Sequence, residues 1–226
     1  TSCSAYQAVQ KDNGSRMKLS QYKAQSARHI LIYGPPKSGK TGAIGQLAKK
    51  FRLHFVDLED SIKTLLNPAI LPAEFLDNID LIRIPDKQTY PMGIETVLKI
   101  LKGGTSVICH EHGKVTCPIC SKDPNAITTS LNLAAFENDK DILVIESYSQ
   151  LAESAMNYIM RDAIAKDNFD AKAGWDEYGK QGRILERIGS IIQVAPFNIV
   201  VSTHEQMVEM EDDTKKIVPI GGTSNA

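Results

Sequence analysis

The stretch HILIYGPPKSGKT, residues 29–41, decides the fold of this chain. An apolar run ends at Gly34, and Gly39, Lys40 and Thr41 follow with the G-x-x-x-x-G-K-S/T spacing of a phosphate-binding loop. Glycines let backbone N–H groups surround phosphate oxygens, Lys40 adds a positive charge, and Thr41 offers a hydroxyl to Mg²⁺. A helix that starts here directs its positive dipole end at the same anion. The predicted nucleotide-binding residues are Gly34, Pro35, Pro36, Lys37, Ser38, Gly39, Lys40, Thr41 and Gly42.

The composition is that of one ordinary α/β domain. A chain of 226 residues, 42% of them apolar, can bury a sizeable core. Lys and Arg number 26 against 27 Asp and Glu, so any nucleic-acid contact must come from a local basic patch. With no run of about 18 apolar residues and no signal peptide before the first strand, we expect a cytoplasmic protein that does not enter the membrane.

Apolar strands alternate with helices along the chain, which predicts an α/β fold with a mostly parallel sheet covered by helices on both faces. Strands are predicted at 29–33, 53–57, 76–85, 141–147 and 197–207. Residues 1–28 are polar and lack a clear period, and we interpret them as a tail or lead-in, with a short helix near 19–27. The predicted core spans 29–226 and carries a Cys/His insertion at about 105–123.

Polar residues follow each of the apolar strands. Glu59 comes after the second strand, Glu146 ends the strand at 142–145, and His204 follows the strand at 198–201. Ligands of open α/β sheets bind at the carboxyl ends of strands, so neighbouring strands would bring these groups to the phosphate loop. Glu146 would then hold Mg²⁺ through water, Glu59 would polarise the attacking water, and His204 would sense the γ-phosphate. The alternatives are a solvated strand end, an acidic helix start and a surface histidine.

A second constellation, CHEHGKVTCPIC, spans residues 109–120. Cys109 and His112 form one x₂-spaced pair, and Cys117 and Cys120 form another, which suits tetrahedral Zn²⁺ in a structural site. His110 competes with His112 for the third ligand position, and the x₂ spacing favours His112. Free thiols and a redox pair are the alternatives; three cysteines within twelve residues favour metal over a disulfide framework.

The order of motifs resembles a known family. GPPKSGKT, FVDLED, DILVIES, W-x₂-YG, NIVVSTHEQ and PIGG, between about His29 and Gly222, resemble the phage-encoded RecA-like P-loop ATPases of the Sak type. These are AAA-family ATP-binding proteins linked to single-strand annealing and recombination. The resemblance implies a RecA-like fold, ATP with Mg²⁺, action on single-stranded DNA, a homo-oligomeric ring or filament, and the host-cell cytoplasm. It also allows a single-strand DNA-binding protein as a partner.

The resemblance assigns roles to individual residues. Lys40 and Thr41 would bind phosphate and Mg²⁺, Glu59 would activate water, and His204 would stand at the polar γ-phosphate sensor. Glu146 occupies the position of the Walker B aspartate, and this longer carboxylate is a departure from the family pattern.

Two further departures lie in the loop, where Lys37 replaces a common glycine and Gly42 replaces a common hydroxyl residue. We predict a Mg-dependent ATPase in phage recombination or replication. One alternative is a nucleotide-gated DNA-binding or loading module with little hydrolysis, which the departures favour. The other is a nucleotide or small-molecule kinase, which would need a lid of arginines.

Outside these motifs, aromatic and basic residues lie in the region before the last strand. Trp175 and Tyr178 are expected to anchor a helix to the core; stacking on a nucleic-acid base is the alternative. Arg161, Arg183 and Arg187 are scattered in sequence and give no clear lid for a kinase.

Overall fold

The computed structural model describes residues 27–164, 166, 171–209 and 215–220. Residues 1–26 of the predicted tail lie outside these ranges, and so does all of its short helix except the last residue. The strands are β1 (His29–Gly34), β2 (Arg52–Asp57), β3 (Ile79–Arg83), β4 (Thr105–Cys109), β5 (Thr128–Asn132), β6 (Asp141–Glu146), β7 (Asn198–Glu209) and β8 (Lys215–Pro219). The α-helices are α1 (Lys40–Gly45), α2 (Met92–Leu101), α3 (Tyr148–Ile164) and α4 (Trp175–Gln193).

The main sheet has the strand order β1-β7-β6-β2-β3, and all of these pairs are parallel. In the described part of this sheet, β8 is the strand that runs antiparallel, along the outer part of β7. The mostly parallel α/β fold is therefore confirmed. The register places Gly34 beside His204 and Asp57 beside Glu146, so β1, β2 and β6 end at one edge of the sheet, whereas β7 continues past this edge beyond His204.

Side chains that alternate along each strand build a core on both faces of the sheet. In β7, Ile199 and Val201 pack with α2, α3 and α4, whereas Val200 packs with α1 and the 3₁₀ segments that follow it. The helices on both faces thus agree with the prediction. Helix α1 is only six residues long, because the chain changes to a 3₁₀ helix at Gln46–Lys49.

Helix α2 shows how the sequence specifies one of these layers. Ile94, Val97 and Leu101 recur at helical spacing and are buried in the core. Burying each such side chain contributes about 1.5–3 kcal/mol. Gly103 follows the helix with a φ of 83°, a left-handed conformation that favours glycine and ends the helix.

The Cys/His insertion is a small antiparallel sheet of β4 and β5 docked on the main core. Ile108, Leu131 and Leu133 are buried in the same apolar cluster as α2 and α3. Strand β5, which follows the last cysteine in sequence and pairs with β4, was not predicted from the sequence. The insertion therefore obtains its apolar packing from the domain instead of from a core of its own.

The prediction that Trp175 and Tyr178 anchor a helix was wrong. Trp175 is 95% exposed and Tyr178 is 57% exposed. The buried face of α4 is formed two turns later by Leu185 and Ile188, so its first turn lies beyond the core. Among the helices that the structure describes, none is long and apolar enough to cross a membrane.

Candidate functional site

The phosphate loop leaves β1 at Gly34 and turns into α1 at Lys40. Lys37 and Gly39 both have left-handed backbone angles, with φ of 65° and 88°. For the non-glycine residue Lys37 this conformation costs about 1–2 kcal/mol. The turn is closed by a hydrogen bond from the Ser38 N–H to the Pro35 carbonyl, 3.3 Å long.

The Lys40 side chain is folded back into this loop. Its Nζ donates to the carbonyl oxygens of Gly34 and Pro35 at 3.0 and 2.9 Å, and lies 3.3 Å from Nδ1 of His204. Lys40 is buried, with 8% of its surface exposed. The ammonium group therefore lies between the phosphate loop and His204 of β7, and its binding of phosphate stays a prediction.

Thr41 and Glu146 form the next contact, with the Thr41 hydroxyl donating to Glu146 Oε1 at 3.0 Å. Glu146 is 2% exposed, and within the described part of the chain its Oε2 has no hydrogen-bonding partner. Burial raises the pKa of this carboxyl group, while the nearby hydroxyls of Ser202 and Thr41 oppose that change. An unpartnered carboxylate oxygen beside a hydroxyl fits Mg²⁺, which prefers hard oxygen ligands.

Glu59 lies across the cavity from the loop. Its backbone N–H donates to Asp57 Oδ1 at 3.2 Å, and the same oxygen accepts from the N–H of Ser61 at 3.1 Å. The Ser147 hydroxyl donates to Glu59 Oε1, which also lies 3.6 Å from His204 Nε2. Sequence reasoning missed the positioning contacts of Asp57 and Ser147; their places at the ends of β2 and β6 were the available signal.

These groups share one cavity of about 400 Å³. Its lining includes the predicted residues Lys37, Ser38, Gly39, Lys40, Thr41, Gly42, Glu59, Glu146 and His204. Of the remaining predicted loop residues, Gly34 and Pro35 contribute their carbonyl oxygens to Lys40, and Pro36 is exposed. The structure thus brings the sequence-predicted groups together, while their chemical roles stay predictions.

The Cys/His residues also converge. The ligand atoms of Cys109, His112, Cys117 and Cys120 all lie within 4.8 Å of one another. Backbone N–H groups that point at Cys117, chiefly that of Cys120, lower the pKa of its thiol to about 7. Three sulfurs and one imidazole nitrogen at this spacing fit a tetrahedral Zn²⁺ site without an open position.

The competing histidine, His110, lies outside this cluster. Its Nε2 is 2.7 Å from the Thr129 hydroxyl, which in turn donates to the Leu81 carbonyl. His112 instead has Nδ1 3.2 Å from Cys120 Sγ. The structure therefore favours His112, in agreement with the knuckle spacing.

The arginines that looked scattered in sequence lie together. Arg161, Arg183 and Arg187 line a groove between α3 and α4, and none of them lines the phosphate-loop cavity. They do not form the arginine lid that a kinase would need.

Comparisons with known proteins place the chain in a family. A search of curated proteins finds no match. Among solved structures, that of the RadB recombinase is similar, with 15% sequence identity, a TM-score of 0.38, and coverage of 84% of this chain and 66% of the RadB chain. The family model described as AAA domain matches residues 26–225, which include the phosphate loop and every site residue described above. The chain therefore belongs to the AAA domain family of P-loop nucleotide-binding proteins.

Proposed function

We propose that this chain is a RecA-like ATPase that binds ATP with Mg²⁺ and acts on single-stranded DNA in phage recombination or replication, in the host-cell cytoplasm. The ATPase part of the proposal is supported by one observation. A single cavity is lined by Lys40, Thr41, Glu59, Glu146 and His204. A phosphate cradle alone would support nucleotide binding. Two further carboxylates and an imidazole beside it supply the groups that hydrolysis needs.

In this proposal Glu59 takes the proton of a water molecule that attacks the γ-phosphorus in line with the leaving β-phosphate oxygen. The Ser147 hydroxyl donates to Glu59 Oε1, and His204 Nε2 lies 3.6 Å from the same oxygen. Lys40 exchanges its carbonyl partners for phosphate oxygens and stabilises the negative charge that develops on them. Bound Mg²⁺, with Thr41 and Glu146 as its protein-side ligands, would neutralise part of the phosphate charge.

The test is nucleotide binding and steady-state ATPase activity of the wild type, Lys40→Ala and Glu59→Gln, with and without single-stranded DNA and Mg²⁺. We expect Lys40→Ala to lose binding and Glu59→Gln to bind but not hydrolyse. A wild type that does not bind ATP would refute the proposal.

A nucleotide-gated DNA-binding or loading module with little hydrolysis is a second candidate, and two properties of Glu146 favour it. The buried carboxyl group has a raised pKa and sits where the resembling family has a shorter aspartate. Tight ATP binding with negligible turnover in the presence of Mg²⁺ and DNA would decide for this candidate.

The proposal extends to assembly and to zinc. Among the described strands, β1 lies at the edge of the sheet, and its side chains Ile30, Leu31 and Tyr33 are about half exposed. An exposed apolar edge is the kind of surface that pairs with another chain, which supports a homo-oligomer such as a ring or filament. The Cys/His cluster is proposed to hold one structural Zn²⁺ that stabilises the insertion.

A further inference from the structure

The groove between α3 and α4 concentrates positive charge on a protein with a formal net charge of −1. Four cationic side chains line it, namely Arg161, Lys180, Arg183 and Arg187, against the single acid Asp162. The two helices run antiparallel here, because the Tyr148 hydroxyl donates to the Leu185 carbonyl and Gln181 donates to the Ala152 carbonyl. Residues distant in sequence therefore meet at one surface.

The cations of this groove differ in how far they are neutralised. Lys180 is paired with Asp176 at 2.6 Å and with Glu177 at 3.7 Å. Arg161 Nε lies 3.7 Å from Asp162, and the Arg161 guanidinium packs 4.3 Å from the Tyr158 ring centroid. Arg183 and Arg187 are exposed and have no ion pair within the described part of the chain. Two guanidinium groups are thus available to an anion.

Two aromatic rings lie at the start of α4, the helix that carries Arg183 and Arg187, and outside the lining of the groove. Trp175 and Tyr178 lie in the first turn of α4, 95% and 57% exposed. At a rise of about 1.5 Å per residue, Trp175 is ~12 Å along the helix from Arg183 and ~18 Å from Arg187. Single-stranded nucleic acids bind surfaces that offer both exposed rings and cations, because bases stack on rings and phosphates pair with guanidinium groups.

We propose that α4, with the C-terminal half of α3, binds single-stranded nucleic acid. Trp175 and Tyr178 stack on bases, and Arg183, Arg187 and Arg161 contact phosphates. The inference rests on the proposed action on single-stranded DNA, and it identifies the surface of the protein that binds the nucleic acid. An acidic peptide would also satisfy the arginines, but it would leave the two exposed rings without stacking partners.

The experiment uses the fact that Trp175 is the only tryptophan in the chain. A dT₁₅ oligonucleotide is titrated into the full chain while the tryptophan emission is recorded, and its affinity is measured separately by anisotropy of a labelled oligonucleotide. We expect quenching of the emission. Trp175→Ala should weaken binding about tenfold, as loss of one stacked base does, and Trp175→Phe should retain most of the affinity.

Charge is tested with two double variants. Arg183→Ala with Arg187→Ala should lower the affinity at least tenfold and reduce the slope of log K against log salt by about 1.4, the value for two lost phosphate contacts. The matched control, Lys49→Ala with Lys50→Ala, removes two exposed cations elsewhere and should bind as the wild type does. ATPase activity without DNA should be the same in both variants, and so should their melting temperatures.

The failures are distinguishable. If the wild type binds dT₁₅ without quenching, and the two double variants bind it with equal affinity, the proposed binding surface is refuted. The proposed action on single-stranded DNA is not affected by that result. Absence of dT₁₅ binding by the wild type overturns both, while ATP binding still tests the nucleotide site. Displacement of dT₁₅ by a polyglutamate peptide of about 15 residues at equal concentration identifies an acidic-peptide surface and also overturns the proposal.

Discussion

Lys40 and His204 are joined by a contact of 3.3 Å between the lysine Nζ and the histidine Nδ1. An ammonium group only donates hydrogen bonds, so Nδ1 is the acceptor and the proton of the neutral ring lies on Nε2. Nε2 is 3.6 Å from Glu59 Oε1. His204 therefore links the phosphate-loop lysine to the carboxylate that we propose as the general base.

This geometry predicts different effects of two amide substitutions at His204. His204→Asn keeps an oxygen near the Nδ1 position for Lys40 but loses the group that faces Glu59. His204→Gln extends an amide toward Glu59. We expect kcat for ATP to fall about 10- to 100-fold in His204→Asn and less than tenfold in His204→Gln, with ATP affinity within a few-fold of the wild type. Equal losses in the two variants would contradict the proposed contact with Glu59.

The hydrogen bond between Ser147 and Glu59 predicts a large loss of kcat in one variant and a smaller loss in another. Glu59→Gln removes the base and should reduce kcat by 10²- to 10⁴-fold while ATP still binds. Ser147→Ala leaves the carboxylate in place but removes the hydroxyl that donates to it. A hydrogen bond to a charged group contributes about 1.5–3 kcal/mol, so we expect a roughly 10- to 100-fold loss. Single-turnover hydrolysis measures both, and a Ser147→Ala variant as active as the wild type would exclude the positioning role.

Glu146 makes a prediction about stability. Its pKa is raised above the ordinary 4.5 by burial, so above that pH the ionised carboxylate destabilises the folded state. Glu146→Gln keeps an acceptor for Thr41 and removes the charge. We expect its melting temperature at pH 7 and without Mg²⁺ to exceed that of the wild type by about 2–4 °C, which corresponds to ~1 kcal/mol.

The sign of this difference follows from the raised pKa. As the pH falls toward 4.5, Glu146 in the folded protein takes up a proton before the unfolded chain does, so the advantage of the glutamine variant should shrink. Mg²⁺ with ATP should reverse the order, because only the wild type retains a carboxylate for the cation. Differential scanning calorimetry at several pH values, with and without Mg²⁺, measures both effects. A variant less stable than the wild type at pH 7 without Mg²⁺ would contradict this account.

The sequence predicts those parts of the site whose chemistry is encoded by local spacing. Gly39 adopts a φ of 88° that few other residues tolerate, and Lys40 and Thr41 follow it directly, so the loop is recognisable from a few residues. Glu59, Glu146 and His204 required one more step, the rule that ligands bind at the carboxyl ends of parallel strands. That step succeeded because the strands are neighbours in the sheet.

Features set by tertiary packing were not predictable in this way. The exposure of Trp175 depends on where α4 leaves the core, and the arginine groove requires Arg161 and Arg187 to meet across two antiparallel helices. The glycine at position 42 is also explained by tertiary packing, because a Cβ at this position would lie 3.2 Å from the Ile70 side chain. Single-sequence patterns do not report such distances.

The Cys/His cluster offers a sharp test, because two histidines lie two residues apart and only His112 contacts the sulfurs. We expect the purified chain to carry one equivalent of zinc, and less than half an equivalent per chain would count against the site. His112→Ala should lose most of the metal and lower the melting temperature. His110→Ala is the matched control; it should keep the metal, since His110 contacts the Thr129 hydroxyl instead. Metal analysis of both variants, with thermal melts before and after chelation, measures the effect. Zinc loss in His110→Ala with retention in His112→Ala would reverse the assignment of the third ligand.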